Sequence, residues 1–274
     1  MKKFPLLSLL ITFCSALYFL VPLIATFHFS LKMKRGELSF AAYADVFQSD
    51  TFLATLTYSA LASAAAVVIG ALLVVPTAYW VRLKLPKLRP LVEFLTLLPL
   101  IIPPVVLVFG YMRIYGNSSF LPLTTGETGT NLLLTLGYVV LSLPYMFRSV
   151  DNGMAAIDIA TLTEAAESLG ASRFRTIRLV IFPNVRSAIM SGAFLTFSIC
   201  LGEFVMASLL NRPAFGPYLV QMGQDYAYQP AALAIMAFAV TWLLMGLMQF
   251  FGSRKPGESF FPRLFRSSSR SLDA

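Results

Sequence analysis

Few residues in this chain are of a type that does chemistry, and their spacing narrows what chemistry is open. With one histidine, His28, a His-Glu-x-x-His zinc peptidase site is impossible. No Gly-Lys dipeptide occurs, so there is no Gly-x-x-x-x-Gly-Lys-Ser/Thr loop to cradle phosphates. A Gly-x-Ser-x-Gly nucleophile turn is likewise missing. Cys14 and Cys200 sit in apolar runs without metal-ligand spacing and read as packing residues. No metal or other cofactor is implied. What is left is binding and docking. Glu203 lies inside an apolar run, and a charge at mid-helix in lipid costs on the order of 2.5–3.5 kcal/mol, so its side chain is expected to face protein or a cavity. On a continuous helix Gly192, Thr196, Cys200, Glu203 and Ala207 form one stripe of small or polar residues. Such a stripe could line a solute pathway, with Glu203 offering an ion pair to a cationic solute. A structural glutamate hydrogen-bonded to a neighbouring helix is the other reading of the same residue.

A second polar group runs from Thr161 to Pro183. Thr161-x-x-Glu164 has the form of a capping box, in which each side chain satisfies a free N–H at the start of a helix. Leu162, Ala165, Ala166 and Leu169 follow at i, i+3, i+4 and i+7, giving that helix one apolar face. Gly170 can end it in a left-handed conformation that has no Cβ clash. Ser172 can cap a second helix, whose Phe174, Ile177 and Ile181 lie beside Arg173, Arg175 and Arg178 before Pro183 punctuates the run. The expected product is helix, glycine corner, helix, held outside the bilayer.

The elements that must position these groups are membrane spans. The 274 residues are 57% hydrophobic and 12% charged, with mean hydropathy +0.74, whereas soluble domains carry about a quarter charged residues. The run 4–31 is too long for a secretory signal and reads as span one. Further spans are expected at about 51–81, 91–115, 131–147, 185–210 and 231–252, giving an all-α polytopic membrane bundle of six transmembrane helices in a single domain. Pro99, Pro103 and Pro104 should kink or break span three, and Pro144 should interrupt span four near its inner end. The segments between spans read as loops, with Tyr218, Tyr226 and Tyr228 as anchors at the membrane interface. Of the 21 Lys and Arg, only Lys32, Lys34, Arg35, Arg113 and Arg212 fall outside if the N-terminus is cytoplasmic. That bias satisfies the positive-inside rule and places both termini in the cytoplasm. The net +8 is scattered through short connecting segments rather than gathered in one stripe, which argues against nucleic acid.

The pattern Glu164-Ala165-Ala166, three residues, Gly170, nine residues, Val180-x-Phe182-Pro183 resembles the EAA loop of permease subunits from bacterial binding-protein-dependent ABC importers. It departs from the family's E-A-A, G, I-x-L-P pattern only by apolar replacements at Val180 and Phe182. The likeness extends less strongly over the whole chain, as a type I importer permease of six spans. It implies that the helix carrying Glu164, Ala165, Ala166, Leu169 and Gly170 is a coupling helix that docks in a groove of an ABC ATPase, with the loop closed at Pro183. It further implies two ATPase subunits, a second permease, identical or homologous, and an extracytoplasmic substrate-binding protein. The chain would have no ATPase site of its own and would reside in the bacterial inner membrane. The segments Leu141–Arg148 and Phe197–Leu210 look most like the spermidine/putrescine subgroup, a look shared by iron and phosphonate importers. An ion-coupled secondary transporter or channel subunit is the rival class, separable by whether uptake needs ATP.

Overall fold

The computed structural model describes residues 6–252; Lys2, Lys3 and the basic tail from Arg254 lie outside the described residues. Every regular element among them is helical: α1 (Leu6–Ser30), α2 (Ala41–Phe47), α3 (Asp50–Leu83), α4 (Arg89–Ile101), α5 (Pro104–Ile114), α6 (Glu127–Ala155), α7 (Ile159–Ser168), α8 (Arg173–Thr176), α9 (Phe182–Leu201), α10 (Val205–Leu209), α11 (Phe215–Asp225) and α12 (Gln229–Gly252). Among the described residues, five helices are long and apolar enough to cross a membrane, or six if the bent pair containing α4 and α5 forms one span. The bend is 98° and its cause is local. Ile102, before Pro103, is forced to an extended ψ of 118°, and Pro103 itself sits at ψ 142°. Pro99 stays inside α4 without breaking it.

α6 is the centre of the bundle and packs along α3 and α9. One apolar cluster, with Val75, Met146, Val150, Met154, Ile181 and Val185, fills the end nearest α7. A second, with Val108, Leu134, Tyr138, Cys200, Met206 and Leu210, fills the end nearest α10. Small residues let the helices approach closely: a Cβ on Gly153 of α6 would fall 2.3 Å from the Cβ of Ala188 on α9. α1 and α12 pack together at the periphery, and α1 leaves Leu9, Phe13, Tyr18, Phe19 and Ile24 more than half exposed, as suits lipid contact.

Four expectations are corrected. α6 runs unbroken through Pro144, which is buried, because packing on α3 and α9 holds the chain helical. It also continues past Phe147 to Ala155, since Asp151 is neutralised by Arg82 of α3 at 2.5 Å and Arg89 of α4 at 3.3 Å. The segments read as loops contain α2 and α11. Tyr218 of α11 is 9% exposed, packed with Val46, Phe52, Phe215 and Leu233, and so is a core residue, not an interfacial anchor. Tyr228 stacks on Phe29 with ring centroids 4.9 Å apart, while Tyr226, half exposed, lines with Tyr218, Asp45 and Asp225 a cavity of about 390 Å³.

Candidate functional site

The α7 end of the bundle carries the helix–glycine–helix corner, built from a different first residue than the sequence pattern suggested. α7 begins at Ile159, and its cap is Asp158, whose carboxylate accepts from the Thr161 N–H at 3.2 Å and hydroxyl at 2.7 Å. Those hydrogen bonds, the hydroxyl's first, hold the Asp158 carboxyl below its ordinary range. Thr161 therefore serves as a donor to Asp158, and the Thr161–Glu164 capping box does not form.

The far end of α7 closes as expected. Gly170 adopts φ +77°, its N–H bonds the Glu167 carbonyl at 2.9 Å, and the Ala171 N–H returns to the Ala166 carbonyl at 3.0 Å. This paired closure satisfies two of the carbonyls that a helix end leaves free, and it requires the left-handed residue that glycine supplies. Ser172 then caps α8, its hydroxyl accepting from the Arg175 N–H at 3.4 Å.

Pro183 does not end the run. α8 passes through a π-helical stretch, Ile177–Ile181, directly into α9, so that Arg173–Leu201 is one continuous helical span. The wider turn precedes the proline that lacks an N–H, and the Asn184 side-chain amide bonds the Val180 carbonyl at 2.7 Å.

The apolar stripe of α7 is divided between two surroundings. Ile159, Thr163 and Ala166 face the bundle and are buried, with Leu162 packed beside them. Ala165 points away, with Glu164 and Glu167. Leu169 is 89% exposed and Phe174 71%. α7 is thus anchored by one face and turns Glu164 and Glu167 outward, and the corner that follows it leaves Leu169 and Phe174 exposed.

At the opposite end the geometry separates residues that helical spacing had grouped. Thr196 and Cys200 are fully buried on α9, and the Cys200 thiol lies 3.8 Å from the Tyr138 carbonyl of α6. α9 stops at Leu201. Glu203 lies in the break that follows and is not on the Gly192–Thr196–Cys200 stripe. Its carboxylate accepts from the backbone N–H of Met206, at 2.9 and 3.1 Å, and of Ala207, at 3.1 Å. Both oxygens thus cap the start of α10. The segment after α10 is fixed by Arg212, which donates to Asn131 of α6 at 3.2 Å, while Tyr58 of α3 donates to the same oxygen at 2.7 Å.

A family model described as the binding-protein-dependent transport system inner membrane component matches residues 74–255, including the corner and the break. The chain belongs to this family. Among its relatives, a probable molybdenum ABC transporter permease protein of Haloferax volcanii is 28% identical over 246 residues, covering 87% of this chain and 88% of that protein. The spermidine/putrescine transport system permease protein PotB of Haemophilus influenzae is 27% identical over 227 residues, covering 77% and 79%. In fold, the chain resembles a subunit of a bacterial ABC transporter involved in the import of the acidic polysaccharide alginate, with TM-score 0.68 at 16% identity over 90% of this chain and 94% of that one. It also resembles a chain of the MetNI methionine ABC transporter in inward-facing form, with TM-score 0.51 at 20% identity over 76% and 97%. The membrane-embedded helical bundle is that of an ABC importer permease of type I.

Proposed function

We propose that this permease forms one half of a solute pathway that opens alternately to either side of the inner membrane, driven by ATP hydrolysis in two partner subunits. The observation that carries this reading is the corner after α7, where Leu169 and Phe174 are exposed around the Gly170 turn and α7 turns Glu164 outward. The residues assigned to docking are Glu164, Ala165, Ala166, Leu169 and Gly170, with Pro183 at the entry to α9. A second permease completes the pathway, and an extracytoplasmic binding protein delivers the solute. We propose a small charged solute. Polyamines are one class, supported by PotB, and oxyanions another, supported by the molybdenum relative.

Purification with the chain's natural neighbours and reconstitution in proteoliposomes test the reading. Vanadate-sensitive uptake dependent on a copurifying ATPase is expected; ion-driven uptake by this chain alone overturns it. Thermal stabilisation of the cognate binding protein by polyamines, molybdate, sulfate and phosphonates identifies the solute class.

The charge bias supports an orientation with α7 in the cytoplasm and residue 117 outside. In a chain with Cys14 and Cys200 replaced, Asn117→Cys is expected to react with an impermeant thiol reagent in intact cells. Ser172→Cys should react only after the membrane is opened. The reverse pattern inverts the topology.

A further inference from the structure

α7 is held to the bundle by a narrow face, and one contact in that face differs in kind from the rest. The Tyr79 hydroxyl of α3 and the Thr163 hydroxyl of α7 lie 3.1 Å apart in a hydrogen bond. Tyr79 is 2% exposed and Thr163 3%. The surroundings are apolar: Val75, Ala78, Met154, Ile159 and Ile181 belong to the same cluster as Tyr79. Apolar contacts hold the elements together but carry no preferred direction. Two buried hydroxyls have a preferred separation, and parting them leaves two unpaired polar groups where no water reaches.

Tyr79 also sits at a strategic point along α3, one turn before its end at Leu83. At that same end Arg82 pairs with Asp151 of α6, and farther along α3 packs on α6 and α9. A push on α7 thus reaches α3 through a directional bond, and reaches α6 through an ion pair three residues on.

We infer that Tyr79, through Thr163, is a positioning residue for transport: it makes α3 move as one piece with α7, so that displacement at the docking corner becomes rearrangement of the central bundle. This rests on the docking role proposed for the 164–170 corner. Without the bond α7 can shift while α3 stays, and ATP is then hydrolysed with less solute moved.

The test uses the full transporter reconstituted with its neighbours, measuring solute moved per ATP hydrolysed. Tyr79→Phe and Thr163→Val each delete one hydroxyl with almost no change of shape. In each, the ratio is expected to fall about fivefold, the factor that losing one buried hydrogen bond represents. The double variant should fall no further, because both changes remove the same bond. Thr163→Ser, which keeps the hydroxyl, should retain the wild-type ratio. An unchanged ratio in both single variants, or effects that add in the double, overturns the inference. Loss of assembly in both single variants overturns it too, making the bond structural. Gly170→Val in the same assay separates the two levels. If that variant transports normally, the docking reading itself fails; if it is inactive while Tyr79→Phe keeps its ratio, only the role of Tyr79 fails.

Discussion

Gly170→Val is expected to reduce ATP-driven uptake by a factor on the order of ten or more while the protein still inserts in the membrane. At φ +77° a Cβ at this position meets nothing within 4 Å, so crowding by neighbours plays no part and the effect comes from the backbone. A β-branched residue in the left-handed region is a genuine outlier, and holding it there costs roughly 1–3 kcal/mol. The corner relieves that strain by unwinding, which breaks the Gly170–Glu167 and Ala171–Ala166 closures and swings Leu169 and Phe174 out of register with each other. Asparagine tolerates the left-handed region, so Gly170→Asn is expected to keep most activity and Gly170→Ala to fall between. Uptake assayed at matched membrane abundance checks the series. Wild-type uptake by Gly170→Val removes the docking role from this corner.

The parts of the molecule legible in the sequence were those fixed by interactions close along the chain. Long apolar runs mark α1, α3 and α12 because lipid demands about twenty apolar residues per span, and Gly170 marks its corner because the closing bonds lie within five residues. Some misread parts depend on distant partners and others on local competition. α11 carries Gly216 and Pro217 and reads as a loop, yet it folds because Phe215 and Tyr218 pack into a cluster with Phe52 and Leu233. The α7 cap turned on a local competition: Asp158 and Thr161 stand in the same three-residue relation as Thr161 and Glu164, and the carboxylate is the stronger acceptor of N–H and O–H donors. Continuity from α8 into α9 through Pro183 needed a π-helical stretch, which has no sequence pattern of its own. Tyr79 gave no signal either, since a tyrosine in an apolar run reads as core until its hydroxyl partner is in view.

Glu203→Gln is expected to weaken uptake of any solute, whatever its charge, because the carboxylate is engaged with the protein. The apolar run from Phe197 to Leu210 suggested one unbroken helix. The chain instead leaves the helix at Gly202 and restarts at Val205, and a restart exposes N–H groups that need acceptors. Glu203 meets that need with both oxygens, on Met206 and Ala207, in charge-assisted bonds worth about 1.5–3 kcal/mol each. What they hold is α10, whose Met206 and Ala207 are fully buried between α5 and α6. Glutamine keeps one acceptor oxygen but turns an amide donor toward a backbone donor, so at least one bond is lost. The loss of about 1.5 kcal/mol corresponds to backbone hydrogen exchange at Met206 and Ala207 roughly tenfold faster. Uptake should fall with it, by a similar factor for a cationic and an anionic solute, as α10 leaves its place. Unchanged exchange together with a raised KM confined to a cationic solute gives the opposite assignment, with Glu203 contacting the solute and α10 stable without its cap.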